Sequence, residues 1–244
     1  MPGVMSDINF YLTPPHACAY LAGRSANTLF ADPALAVTAQ LYGTLIDQGF
    51  RRSGAHLYRP HCTSCDACIP VRVPVCEFQP RRRHQRVWRR NHDLDVYCVD
   101  AVYNAEHFQL YQHYLAHRHS ENGVDSATPE QYLEFFAAPG IDTRLYEFRY
   151  SQRHEQRLLA VAVVDHLAQG LSSVYTFFDP AETARSLGMH AVLWQIREAQ
   201  RIGLPWAYLG YWIKECRKMS YKGQYRPLEI YRHNHWLRLA GDEP

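Results

Sequence analysis

Three cysteines at two-residue gaps, Cys62, Cys65 and Cys68, stand in the run His61-Cys-Thr-Ser-Cys-Asp-Ala-Cys-Ile-Pro70, and Cys18 lies upstream in His16-Ala-Cys-Ala-Tyr20. This spacing lets a short stretch of backbone aim successive thiolates at one centre. Four sulfurs would complete a tetrahedral zinc site or hold an iron–sulfur cluster. The expectation is a zinc ion or an iron–sulfur cluster on Cys18, Cys62, Cys65 and Cys68; the spacing does not choose between them. Burial of the thiols as small hydrophobes is the plainer alternative. Cys76, Cys98 and Cys216 fall on or beside predicted strands and are expected to pack.

A second pattern is positive. Arg81, Arg82, Arg83, Arg86, Arg89 and Arg90 fall within ten residues around Trp88, and no acidic residue interrupts the run from Arg81 to His92. Their guanidinium forks suit the oxygens of a nucleic-acid phosphate backbone, whereas a solvated charged face would pair them with carboxylates. A third pattern is a strand feeding a helix. Tyr175-Thr-Phe-Phe-Asp179-Pro180 leads through Arg185, Ser186, Leu187 and Gly188 into a long apolar-striped segment. Free N–H groups at such a helix start attract a carbonyl oxygen or an anion. The plainer reading is that Ser186 caps the helix and Asp179-Pro180 makes a turn.

Elements must position these groups. Apolar spacing predicts helices over 38–48, 81–91, 105–118, 129–137 and 187–201. Alternation and turn residues predict a hairpin over 50–58 and strands over 95–99, 144–150, 158–167, 171–178, 206–213 and 228–237. Pro70 and Pro74 read as turn signals in a punctuated stretch over 1–78. The division expected is a cysteine-containing region over 1–78 and a second domain over 79–244 that includes the basic segment. The expected class is α+β, a mainly antiparallel sheet layered with helices. A long helix between two of its strands makes this resemble an N-acetyltransferase-like fold.

The chain has 244 residues, 47% hydrophobic content and a net charge of +2. Affinity for nucleic acid must therefore come from local charge rather than the total. No stretch approaches the roughly 20 apolar residues that span a bilayer, and seven cysteines without a secretory leader suit reduced thiols. The expected location is the cytoplasm, with no membrane association.

Several motifs occur together and in order: the cysteine run continuing into Ile69-Pro-Val-Arg72, the arginine block, Ser-x-Val-Tyr-x-Phe-x-Asp-Pro ending at Pro180, Arg185-Ser-Leu-Gly188, Tyr208-Leu-Gly-Tyr-Trp-Ile213, and Met219-Ser-Tyr-Lys222 followed by Pro227-Leu-Glu229. From about Cys18 to about Tyr231 the chain resembles the arginyl-tRNA protein transferase family, most closely its bacterial, leucine-transferring branch. A more glycine-rich loop is expected of that family around residues 120–126. The resemblance implies movement of leucine, or arginine, from charged tRNA to proteins whose N-terminal residue is Asp or Glu, marking them for N-end rule degradation. No nucleotide cofactor is required, because the aminoacyl ester is already activated.

On that basis Asp179, Tyr175 and Tyr211 are the candidate catalytic residues. Ser186, Leu187 and Gly188, with the six arginines, would hold the aminoacyl-tRNA. Lys222, then Arg185, would meet the acceptor's carboxylate, since an unpaired carboxylate is costly to bury. Two other classes fit parts of the pattern: a coenzyme A-dependent N-acyltransferase, and a non-enzymatic metal-cluster module that binds nucleic acid or senses redox state.

Overall fold

The computed structural model describes residues 8–118, 127–152 and 155–239. The loop at residues 120–126 lies outside them.

The N-terminal part is a small lobe. Strands β1 (Phe10–Leu12), β2 (His16–Ala17), β3 (Ser25–Ala26) and β4 (Thr28–Ala31) precede helix α1 (Ala39–Ile46). Thr38 starts α1 by accepting the Leu41 N–H on its hydroxyl at 3.2 Å. The hairpin of β5 (Arg51–Ser53) and β6 (His56–Pro60) turns at Gly54, and the lobe's sheet runs β1-β4-β6-β5.

The next strand, β7 (Ile69–Pro74), leaves the lobe and enters a second sheet. The expected division at residue 78 thus falls after the chain has already joined that sheet. Pro70 and Pro74 did not break the strand; in register they sit opposite Tyr211 and Trp206. A second neighbour pairs only at Val71 and Arg72, so the prolines lie at the ends of that pairing, where their missing donors cost little.

Helix α2 (Arg82–Arg90) and strand β8 (Leu94–Asp100) follow, then α3 (Ala105–Arg118), α4 (Pro129–Phe136), β9 (Asp142–Gln152), β10 (Glu155–Leu167) and β11 (Gly170–Phe178). Thr128 and Gln131 form the expected capping box on α4. The chain continues through α5 (Leu187–Arg201), β12 (Trp206–Trp212) and α6 (Arg217–Ser220) to β13 (Glu229–Arg232) and β14 (His235–Arg238). The single strand expected over 228–237 is a hairpin, because His233 and Asn234 both take positive φ and reverse the chain in two residues.

The large sheet runs β14-β13-β7-β12-β11-β10-β9-β8. Every pair is antiparallel except β11 with β12, which α5 connects. This is the expected α+β layer. Strand β10 reads Leu-Leu-Ala-Val-Ala-Val-Val because both its faces are covered. Ala160, Ala162 and Val164 pack with α5, while Val161 and Val163 pack with the aromatic rings of α3 and α4. The N-terminal lobe shares a third core with Leu167 and Tyr208. It is locked there by Arg52, whose guanidinium meets Asp165 at 2.6 and 2.7 Å with both side chains fully buried.

Candidate active site

The parallel pair β11 and β12 stays together only from Gly170 to Ser172, opposite Trp206 to Tyr208. Beyond that the strands part, and each carries a bulge near the fork: Val174 is the extra residue in β11 and Leu209 in β12. A bulge adds local twist, which turns the two strands away from each other. The backbone carbonyls facing the fork lose their sheet partners and need others.

Two cations supply them. The Arg51 guanidinium donates to the Ser173 carbonyl of β11, and Lys222 Nζ donates to the Tyr211 carbonyl of β12 at 2.8 Å. Both are mostly buried, and among the described residues neither forms an ion pair with a carboxylate. Gly210 lies between them at a φ of +85°. A Cβ there would stand 3.5 Å from Lys222 Nζ and 3.6 Å from Arg51 Nε, so the two cations are at most about 7 Å apart. Burial, and then the neighbouring Arg51, push the Lys222 ammonium down to about 7. Arg51 has no motif around it; its signal in the sequence is only that it opens a strand beside the structural Arg52.

At the other arm of the fork, α5 begins at Ser186, which takes a left-handed conformation (φ 53°) and makes no side-chain cap. The first-turn N–H groups of Leu187, Gly188 and Met189 therefore have no partner within the helix. Gly188 packs on Phe178, whose ring would stand 3.3 Å from an added Cβ. Helix α2 lies along α5, with Val87 and His84 buried and Trp88 5.2 Å from the His190 ring. Arg81, Arg82, Arg86, Arg89 and Arg90 point outward, and Arg83 is half-buried. Arg90 donates to the Ala184 carbonyl, while Arg82, Arg83, Arg86 and Arg89 form no ion pair among the described residues.

Other expected site residues are held elsewhere. Arg185 is clamped by Asp93, with two contacts of 2.8 Å, and by Glu182 at 3.2 Å, so its charge is already spent joining the start of α5 to the loop after α2. Its partner Asp93 is held below the usual carboxylate range by that hydrogen bond. The Tyr211 hydroxyl donates toward the carbonyls of Gly49 (3.0 Å) and Tyr58 (3.2 Å), which makes it an anchor for the lobe, not a donor to a leaving oxygen. The Asp179 carboxylate accepts the Ala181 N–H at 2.9 Å, closing a turn. The Tyr175 ring packs among Tyr111, Tyr114, Phe135 and Phe136.

The cysteines gather at one end of the lobe. Cys18 Sγ accepts the Leu21 N–H at 3.4 Å, Cys65 Sγ accepts from Arg24 at 3.3 Å, and the Cys62 thiol faces the Asn27 carbonyl at 3.7 Å. Burial, then Cys18, Cys62, Cys65 and Cys216, push the Cys68 thiol up to about 12. Among the described residues no three His, Cys, Asp or Glu side chains converge closely enough to hold a metal ion. Cys216, expected only to pack, is thus the fifth sulfur near this cluster and also a neighbour of Lys222. No described helix is long and apolar enough to cross a membrane.

Known proteins resemble this chain over nearly its whole length. Residues 16–86 match the family described as "Arginine-tRNA-protein transferase, N terminus" and residues 106–232 its C terminus. An aspartate/glutamate leucyltransferase of Pseudomonas fluorescens is 48% identical over 235 residues, covering 96% of this chain and 98% of that protein. One of Alcanivorax borkumensis is 50% identical over 232 residues, covering 95% and 94%. Among solved structures, FemX aligns with a TM-score of 0.47 and 9% identity over 88% of this chain and 82% of that one. The chain belongs to the arginine-tRNA-protein transferase family.

Proposed function

We propose that this protein transfers leucine from leucyl-tRNA to the α-amine of proteins beginning with Asp or Glu, and that it does so at the fork between β11 and β12. The observation that carries the acceptor side is the pair of buried cations, Arg51 and Lys222, with no counter-ion among the described residues. Two neighbouring buried positive charges without an anion are costly, and an incoming carboxylate relieves that cost. The donor side rests on the uncapped start of α5 and on Arg82, Arg83, Arg86 and Arg89 of α2, which form no ion pair among the described residues. The names of the close relatives support leucine over arginine. A tRNA substrate puts the reaction in the cytoplasm.

The chemistry is direct aminolysis. The neutral α-amine attacks the ester carbonyl, a C–N amide bond forms, the ester C–O bond breaks, and the ribose oxygen leaves with the proton the amine gives up. An α-amine with an ordinary pKa of about 8 needs little activation, so positioning and stabilisation of the carbonyl oxygen supply most of the acceleration. The N–H groups of Leu187 to Met189 are the donors for that oxygen. Asp179 Oδ1 accepts the Ala181 N–H of its turn, and no side chain is assigned as the base.

Cys18, Cys62, Cys65 and Cys68 are the side chains that would hold a zinc ion or iron–sulfur cluster, but as placed no three of them converge closely enough to do so. Their sulfurs are soft donors of the kind such groups take. No step of the transfer is routed through such a group.

The test offers purified protein labelled Leu-tRNA or Arg-tRNA together with peptides beginning with Asp, Glu or Ala. Label from Leu-tRNA should reach the Asp and Glu peptides alone. Equal labelling of the Ala peptide would remove the acceptor reading, and transfer from Arg-tRNA alone would remove the donor reading.

A pH dependence follows from Lys222. Its ammonium loses charge as pH rises through about 7, well below its unfolded value. The free enzyme should therefore favour acidic acceptors most strongly below pH 7. The ratio of kcat/KM for an Asp peptide to that for an Ala peptide is expected to fall above pH 7; the ratio cancels titration of the α-amine itself. Fold stability runs the other way. Above pH 7 the unfolded chain still holds a proton that the folded one has released, so stability rises with pH until the ordinary lysine value is reached. A flat kcat/KM ratio across pH 6–9 would separate Lys222 from recognition.

A further inference from the structure

Helices α2 and α5 do not close on each other along their whole length. Between them lies a groove of about 440 Å³, with Phe78, His84, Trp88 and Ile196 in its walls and Arg89 and Arg197 among the residues lining it. It shares no residue with the fork or the start of α5, and takes only Arg89 from the arginines assigned to tRNA.

His84 gives the groove its chemistry. Its ring is 1% exposed and stacked between Phe78 and Tyr225, at centroid distances of 5.6 and 5.5 Å. Nδ1 accepts the N–H of Arg81 at 3.3 Å, so in the neutral ring Nε2 carries the proton. Burial, with Arg83 and Arg81 adding to it, pushes this imidazole down to about 4, which keeps it neutral near pH 7. Nε2 has no hydrogen-bond partner among the described residues. A buried N–H left unmet needs an acceptor, and a ligand in the adjoining groove would supply one.

The walls add a flat surface and charge. Trp88 is half-buried, with the Arg197 guanidinium 5.0 Å from its ring centroid. At its rim Arg89, and beyond it Arg82 and Arg86, lie exposed on α2 at helical spacing; none forms an ion pair among the described residues. A ligand that satisfies all three features is planar and aromatic, offers a ring nitrogen or carbonyl as acceptor, and is attached to phosphates. That describes an unstacked nucleotide of RNA. An apolar peptide would fill the walls but leave the arginines without anions.

We propose that the groove between α2 and α5 receives one unstacked base of the tRNA, with His84 Nε2 donating to the base edge, Trp88 against its face, and Arg82, Arg86 and Arg89 on the adjoining phosphates. The inference rests on tRNA being the donor substrate, but not on which amino acid is carried or which acceptor is used.

The test measures equilibrium binding of uncharged tRNA by the full chain at several salt concentrations, so it stands or falls apart from the transfer assay. His84→Phe keeps a ring in the stack and removes the donor. Gln85→Trp places bulk at the groove from an exposed position on α2. Each should weaken tRNA binding about tenfold with an unchanged melting temperature and an unchanged salt dependence, because no phosphate contact is lost. Arg82→Gln with Arg86→Gln should instead flatten the salt dependence. Should His84→Phe lower the melting temperature, Gln85→Trp alone decides. Wild-type affinity in a folded Gln85→Trp protein overturns the proposal, as does saturable binding of an apolar helical peptide in the groove with tRNA affinity unaffected by it.

Discussion

Lys222→Met is expected to reduce transfer to peptides beginning with Asp or Glu by about 100-fold or more, while affinity for leucyl-tRNA stays within about twofold. Methionine keeps most of the volume of the aliphatic stem, so the fork is not left hollow. What is lost is a positive charge in a mostly buried site, and removing one partner of a desolvated charge pair costs about 2–5 kcal/mol. Arg51→Met should act in the same direction, since its guanidinium flanks the same Gly210 position. Steady-state transfer with Asp and Ala peptides, run beside tRNA binding, checks both variants. A parallel loss of transfer to both peptides would mean that Lys222 only satisfies the Tyr211 carbonyl and shapes the strand.

The second large effect concerns stability. Asp165→Ala leaves the Arg52 guanidinium fully buried without its counter-charge, though still near the carbonyls of Gly54 (3.2 Å) and Phe136 (2.9 Å). An orphaned buried charge of this kind costs about 3–5 kcal/mol. In a chain of this size that corresponds to a fall in Tm on the order of 10 °C. The double variant Arg52→Met with Asp165→Leu should recover much of the loss, because two apolar side chains of similar volume carry no desolvation cost. Chemical denaturation of the three proteins would measure this. If Asp165→Ala alone were as stable as wild type, the pair could not be what fastens the lobe to the sheet.

Local pattern was enough for the elements that keep one period along their length. The apolar stripe of α5, the capping box of α4 and the strand runs of β9 to β11 all lie within short windows, and each folds as expected. Strand β7 was missed because Pro70 and Pro74 read as breakers; whether a proline is tolerated in a sheet depends on which neighbour needs its missing N–H, and those neighbours lie far along the chain. Charge was misread for the same reason. Arg185 looked available because its partner Asp93 is remote in sequence. Arg51 looked ordinary because the strands it bridges had not yet been placed, and only the divergence of β11 from β12 gives it a carbonyl to hold. Tyr211 is a catalytic candidate by its motif, but the bulge at Leu209 and positive φ at Gly210 lie just before it, and its hydroxyl reaches back to the lobe.

The path of β7 has a practical consequence for anyone dividing this chain. The N-terminal and C-terminal family regions meet on paper between residues 86 and 106, yet the earlier one donates a strand wedged between β12 and β13. Cutting there would strip the later fragment of an interior slat and bare two ladders of unpaired amides, an invitation to self-association. The cysteine lobe is thus no detachable accessory. Any event that tugs on it pulls directly on the strand beside Gly210, and a mechanical line of that kind joins the cysteines to the two buried cations without an intervening loop.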